Sequence, residues 1–299
     1  MRHHARCDPR AGAPDPRLGA EGGERLTGLL GAAAPARARP TRGPLLAGLY
    51  VVATPIGNLE DVTLRALRVL RDVDVVAAED TRRTRVLLEA HGLGTPLVSY
   101  REHNRERQGP ALLRRLQTGA RVALVTDAGT PGVSDPGFHL VRLCQDAGIA
   151  VVPVPGPSAV VAALSAAGVP ADRFVFEGFL PLRPGRRRAR LALVAGLDRP
   201  VVLYESPRRL LATLEAIEAV FGEAEVVLAR EVTKQFEEFR RGPAGLLRAA
   251  IAADGVRGEV TVIVNPRGPV GACSPDEAGD ERAPAAAEAT AWPVSERRP

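Results

Sequence analysis

Residues 122–137, VALVTDAGTPGVSDPG, constrain this chain more than any other stretch. The run is apolar through Val125 and then breaks into small, acidic and turn-forming residues from Asp127 to Gly137. A short β-branched apolar run closed by Gly and Pro predicts a buried strand that opens into a loop. Glycine lets a ligand approach the backbone closely, and proline holds a loop in shape where no ladder bond is needed. Ligands of open α/β sheets sit beyond the carboxyl ends of the strands. One such loop alone reads more readily as a plain strand-to-helix connection. Two more follow other apolar runs, at Pro55-Ile56-Gly57-Asn58 and Pro155-Gly156-Pro157-Ser158, and together the three predict a ligand-binding crest.

Around these loops the chain alternates. Apolar runs predict strands at 49–54, 74–78, 97–99, 149–154, 174–177, 200–204, 225–229 and 259–264, besides the focal one. Helical periodicity predicts helices from about 61 and at 83–91, 106–118, 138–147, 158–167 and 243–252. Another helix runs through Leu193 after an Arg-rich loop, and one opens at Ser206 (N-cap) and Pro207 (N1). A turn at Gly168-Val169-Pro170 marks a junction, after which the alternation repeats. Strands alternating with helices predict an α/β fold throughout, in two domains. We draw them at 48–157 and 158–267, between an extension at 1–47 and a tail at 268–299 whose compositions read as disordered. Weak hairpin signals late in the chain leave room for a mixed second sheet.

Several classes fall away. The three cysteines are scattered with no CxxC, which argues against a zinc ribbon or disulfide framework and fits a reducing cytoplasm. The five histidines make no HExxH or similar set, so no metal site is expected. No run approaches the length of a membrane span. GxxxxGK[ST], a GxGxxG after the first strand, and GxSxG are all missing, which excludes a P-loop NTPase, an ordinary dinucleotide site and a nucleophile elbow. The Gly/Pro loops carry few basic residues and suit a nucleoside-type ligand held through backbone groups. Between the two tails stand 29 basic and 25 acidic residues, a mildly basic balance compatible with a polyanionic partner. Nearly every base is Arg. The one lysine, Lys234, is either a site where Arg does not substitute or a chance survivor of a coding bias.

Seven motifs in order now carry a resemblance: TPIGNL at 54–59, AEDTR at 78–82, SYREHN at 99–104, DAGTPGVSDPG at 127–137, PGPSA at 155–159, YESPRR at 204–209 and REVTK at 230–234. Over residues 49–264 the chain resembles the tetrapyrrole methylase superfamily, and within it the branch that modifies small-subunit ribosomal RNA. The resemblance implies two α/β domains of tetrapyrrole methylase type with the cofactor cleft between them, usually in a homodimer. It implies an S-adenosylmethionine-dependent 2′-O-ribose methyltransferase acting in the cytoplasm on a decoding-centre cytidine of 16S rRNA in the 30S subunit. Carried onto this sequence, the cofactor residues it implies are Thr54, Pro55 and Gly57, then Asp127, Ala128, Gly129, Pro131 and Val133, then Pro157, Ser158 and Ala159. Tyr204 and Glu205 are implied on the adenosine side.

The chemistry can be reasoned separately. Methyl transfer from a sulfonium is an in-line displacement, so positioning supplies most of the catalysis. A ribose 2′-hydroxyl is a poor nucleophile and benefits from a base or from donors to the developing alkoxide. The candidates are Glu79, Asp80, His103, Glu231 and Lys234; against these roles, Asp80 reads equally as a helix N-cap, while His103 reads more readily as a solvated loop residue and Lys234 as a partner of Glu231. For RNA, Arg183, Arg186, Arg187, Arg188 and Arg190 form a cluster suited to phosphates, and Arg82, Arg83, Arg101 and Arg105 follow the crest strands. Few exposed aromatics are expected, so recognition should lean on RNA shape and backbone. The rival readings are a precorrin C-methyltransferase, an enzyme modifying a protein side chain, and a non-catalytic RNA-binding assembly factor.

Overall fold

The apolar runs become two five-stranded sheets joined in one chain. The computed structural model describes residues 43–135 and 137–268; the extension and tail read as disordered lie outside them, save for a few residues at their inner edges.

The first sheet holds β1 (Gly48–Val52), β2 (Val75–Ala78), β3 (Leu97–Ser99), β4 (Arg121–Val125) and β5 (Val151–Val154). They are parallel, in the order β3-β2-β4-β1-β5. Side chains alternate faces along each strand, and both faces are buried. On one face Tyr50, Val52, Val76, Ala78, Ala123 and Val125 pack against α1 (Leu64–Asp72) and α2 (Thr81–Ala90). On the other, Leu49, Val75, Ala77, Val122 and Leu124 meet α3 (Arg105–Gln117) and α4 (Phe138–Asp146). The neighbours β1 and β4 therefore feed helices on opposite faces. Their connections part at the sheet's carboxyl edge, and a crevice opens there, as at any topological switch point.

After β5, α5 (Ala159–Ala167) starts the second layer system. It ends at Gly168, whose left-handed φ of 65° terminates the helix. The second sheet follows: β6 (Val175–Phe179), β7 (Val201–Glu205), β8 (Glu225–Arg230), β9 (Glu238–Pro243) and β10 (Val260–Asn265), ordered β6-β7-β10-β8-β9. Only β6 and β7 pair in parallel; the other pairings are antiparallel, so the sheet is mixed. One face packs on α6 (Pro184–Ala195), α7 (Pro207–Phe221) and α8 (Ala244–Asp254). The other packs on α5, with Val160, Ala163, Leu164 and Ala167 against Val202, Val227, Ala229 and Ile263.

Three sequence expectations change. The turn at Gly168 is not the junction, because α5 already belongs to the second sheet's core; the chain crosses over in the PGPSA loop. Strand β9 went unrecognised because its sequence EFRRGP is charged and ends in Gly-Pro, which is how edge strands are made unattractive to further pairing. The Arg cluster is not a loop: from Pro184 at N1 it is helix α6. Arg and Ala are good helix formers, and Arg187, Leu191 and Val194 recur at helical spacing on its buried face. Ser158 and Ser206 occupy N-cap positions, but neither side chain makes a capping hydrogen bond.

Candidate active site

Three loops meet over the crevice. After β1, Thr54 and Gly129 exchange backbone hydrogen bonds of 2.9 and 3.0 Å, the Thr54 hydroxyl donates to Thr126 O, and the Thr130 hydroxyl donates to Pro157 O. The β4 loop is thus tied to the loops after β1 and β5. It adopts left-handed backbone at Gly129 (φ 78°) and Gly132 (φ 85°), where glycine alone fits without strain. Across the crevice the β4 loop reaches the second sheet: β6 carries a bulge between Phe176 and Gly178, and a Cβ at Gly178 would lie 2.6 Å from Ser134 Oγ.

These loops and the second sheet enclose a cleft of about 410 Å³. Ala128, Gly129, Val133, Ser158, Ala159, Tyr204 and Glu205, all singled out from the sequence, are in its wall. Phe179 and Phe176 pack on Tyr204 with ring centroids 5.7 and 5.0 Å away, giving the cleft an aromatic wall. Thr54, Pro55, Gly57, Asp127, Pro131 and Pro157 are not in the wall. Thr54 is buried behind it, and Gly57 packs so closely on the Lys234 stem that a Cβ would stand 2.3 Å from Lys234 Cγ. Asp127 braces the crest: its carboxylate accepts the Asp80 amide at 2.9 Å and lies 3.4 Å from Arg83. Glu205 presents little but backbone, since its buried carboxylate accepts from Thr213 and the Ser206 amide and pairs with Arg209.

The proposed bases separate sharply. Asp80 caps α2 through the Arg82 amide and pairs with Arg82 at 2.7 Å; those hydrogen bonds hold its pKa far below the usual carboxylate range. His103 is exposed in the turn Glu102–Asn104, outside the cleft. Lys234 is in the wall but fully engaged, 2.9 Å from Glu231 and 3.0 Å from Glu259. Burial alone would lower its pKa; the two carboxylates outweigh burial and raise it, so the ammonium form persists. The same ion pair keeps Glu231 ionised, lowering its pKa against the burial that would raise it. Glu79 accepts the Asp127 amide at 3.3 Å, and its pKa is raised, first by burial.

Sequence reading missed Asp135. It is in the cleft wall and also borders a smaller adjoining cavity. Burial, then the charge of Glu79, push its carboxyl up to about 6, with Asp127 and Glu259 adding to the shift and a hydrogen bond from Thr126 opposing it. Asp135 forms no ion pair among the described residues. Its charge is also felt at Tyr204, whose pKa is raised first by burial and next by Asp135. Only the setting of Ser134-Asp135 inside the focal loop hinted at it, and that reads as an ordinary turn.

The arginines divide as well. Arg187 is buried and donates to Leu182 O, so it does not face a ligand; Arg188 pairs with Glu215 and Arg190 with Glu177. Arg183 and Arg186 have no ion pair among the described residues. Arg82 is exposed beside Asp80, and Arg101 is held by its Nε donating to Glu79 O. The expected scarcity of exposed aromatics is corrected: Phe138, Phe179 and Phe236 are 75%, 58% and 64% exposed. No group of metal-ligating side chains occurs among the described residues, and no helix there is long and apolar enough to cross a membrane.

Residues 48–247 match the family Tetrapyrrole (Corrin/Porphyrin) Methylases. The chain is 54% identical over 219 residues to ribosomal RNA small subunit methyltransferase I of Pseudomonas aeruginosa, a match spanning 72% of this chain and 78% of that protein. It is 52% identical over 219 residues to the protein of the same name from Escherichia coli O157:H7, spanning 72% and 77%. Among solved structures it is similar to a cobalt precorrin-4 methyltransferase with a TM-score of 0.57 and 19% identity, over 73% of this chain and 94% of that one. At that identity the likeness is one of fold.

Proposed function

The chain belongs to the tetrapyrrole (corrin/porphyrin) methylases, S-adenosylmethionine-dependent methyltransferases, and from that premise we propose that its acceptor is a ribose 2′-oxygen of small-subunit ribosomal RNA. In full, the reading is 2′-O-methylation of a decoding-centre cytidine of 16S rRNA in the 30S subunit, by a cytoplasmic homodimer of two α/β domains, 48–157 and 158–267. The relatives named for this RNA match most of the chain at about half identity and support the RNA branch over a tetrapyrrole acceptor.

The residues present suit the cofactor. The cleft's volume of about 410 Å³ falls within the ~300–1,000 Å³ of small-molecule sites. Its walls are largely apolar, with an aromatic side for a purine. At Gly129 a Cβ would meet only Ile56 and Pro157 O, both beyond 3.5 Å, so the backbone there stands open to a ligand. Ala128, Gly129, Val133, Ser158, Ala159 and Tyr204 would hold it, with the Glu205 backbone closing one end; Thr54, Pro55, Gly57, Asp127, Pro131 and Pro157 would fix those loops from behind. Bound S-adenosylmethionine supplies an electrophilic sulfonium methyl for in-line transfer.

The observation that carries the chemistry is the placing of Asp135. Of the cleft's carboxylates, Glu205 is sealed by Arg209 and Thr213, and Glu259 holds Lys234. Asp135 alone has no cationic partner among the described residues, its one hydrogen bond coming from Thr126, and its pKa of about 6 lies near the working pH that suits a general base. It takes the 2′-hydroxyl proton as the oxygen turns nucleophilic. The Lys234 ammonium, fixed by Glu231 and Glu259, places a hydrogen-bonding cation in the same wall, its charge offset by its two carboxylate partners. Asp80 and His103 then serve the crest's architecture and its RNA-facing side.

For RNA the cations with no ion pair among the described residues matter most: Arg183 at the N-cap of α6 and Arg186 on it are the phosphate contacts we favour, with Arg82 and Arg101, each already engaged on the crest, in second place. We expect Arg183→Gln/Arg186→Gln to weaken 30S binding several-fold and to reduce the salt slope by about one per lost phosphate contact, with cofactor affinity unchanged. Arg187→Gln, by contrast, should lower thermal stability because it removes a buried side chain. Filter binding across a salt series reads the difference; equal slopes for the double variant and wild type would discard α6 as an RNA face.

The reading as a whole is tested with purified protein and tritiated S-adenosylmethionine offered to 30S subunits, naked 16S rRNA and a precorrin. Label mapping to a ribose 2′-oxygen supports it. Label on the precorrin, or binding of cofactor without any labelled RNA, overturns it.

A further inference from the structure

The smaller cavity, about 70 Å³, shares Asp135 with the main cleft and is otherwise built differently. Arg101 and Arg105 are in its wall, with Phe138 at the start of α4. Phe138 is 75% exposed. A large apolar ring left in water beside guanidinium groups is poorly placed for stability and well placed for a nucleobase. Every base offers a π-face to an aromatic side chain, and Arg reads phosphate.

The cations are already oriented. Arg105 is held by Glu102 and Glu106, and Arg101 by Glu79 O. The Tyr100 hydroxyl lies 3.2 Å from His139 Nδ1, which fixes the imidazole in the same wall. The cavity is too small to swallow a nucleotide, so a base would lie across Phe138 at its mouth.

Resting on the ribose-methylation reading, we propose that this cavity is the seat of the acceptor nucleotide: the base stacks on Phe138, the flanking phosphates meet Arg101 and Arg105, and the ribose turns toward Asp135 where the two cavities join. The arrangement requires the target nucleotide to leave its stack, as enzymes acting on a single nucleotide commonly require. It also gives the recognition face an aromatic platform that sequence composition did not lead us to expect.

The test uses the full chain as wild type, Phe138→Ala and Phe138→Trp. Methyl transfer to 30S subunits gives KM and kcat; filter retention of 30S subunits with S-adenosylhomocysteine present gives binding without turnover. Loss of one stacked base predicts that Phe138→Ala raises KM and the binding constant about tenfold, with cofactor affinity and Tm as in wild type. Phe138→Trp should restore both. A KM for Phe138→Ala within about twofold of wild type, or a Trp variant no better than Ala, overturns the subsite while RNA labelling by wild type leaves the parent reading standing. Wild-type protein that labels a precorrin and no RNA removes both.

Discussion

Asp135→Asn is expected to lower kcat for methyl transfer by about 10²–10⁴-fold, the range a general base contributes, with S-adenosylmethionine affinity little changed. Asn keeps the side chain's shape and hydrogen-bonding reach, so a fall in kcat reports the lost basicity and not a rearranged cleft. The pH profile adds a second reading. The Asp135 carboxyl titrates near 6, above its ordinary 3.8, because burial and Glu79 disfavour its ionised form. The base works only when ionised, so the wild-type rate should fall as pH drops through about 6. Glu79→Gln removes the nearby like charge and should move that acid limb to lower pH. Initial rates from pH 5 to 9 on wild type and both variants decide it, within the usual range of a group titrating at about 6. An Asn variant that keeps near-wild-type kcat, or an acid limb indifferent to Glu79, would remove Asp135 from the chemistry.

The second large effect is at Gly129. Its φ of 78° is left-handed, its amide and carbonyl both bond to Thr54, and its open side faces the cleft. Gly129→Val places a β-branched side chain in backbone it does not adopt, a strain on the order of 1–3 kcal/mol, and fills space the ligand would use. Cofactor affinity should drop by at least about tenfold, the equivalent of ~1.4 kcal/mol, along with Tm. Gly132→Val is the control: φ is 85°, nothing lies within 4 Å of a Cβ there, and the residue is not in the cleft wall. It should lose Tm and keep cofactor affinity. Calorimetric titration of both variants separates strain from occlusion; retained affinity in Gly129→Val would sink the assignment of this loop to the cofactor.

Much of the fold was legible because its elements obey local rules. Strands buried on both faces read as short apolar runs, and each loop on the crest announced itself with Gly and Pro. What local rules miss is set by partners far along the chain. Strand β9 looks like a charged loop until β8 pairs with it at the sheet's edge among the described residues. The Arg183–Arg190 run looks like a solvated loop until Leu191 and Val194 turn one side of it inward. The cleft's loops were visible for the same reason the strands were, but the state of its acids was not. Asp80, Glu231 and Asp135 are all carboxylates in plausible places, and only folding sets a capped ion pair, a lysine partner and a half-buried group with no cationic partner among the described residues apart. Asp135 owes its raised pKa first to burial and then to Glu79, with smaller additions from Asp127 and Glu259, groups far apart in sequence that only the fold brings around it.

Lys234 stands against Gly57 with its ammonium between Glu231 and Glu259, in a chain whose other strong bases are all Arg. The protein therefore has one ε-amine, and it is in the wall of the cleft. Reductive methylation with ¹³C-formaldehyde would put a single side-chain NMR probe in that wall, preserve the positive charge, and leave the arginine surface unmarked. Ligand arrival, closure of the loops and titration of neighbouring carboxylates would each be read as the movement of one resonance.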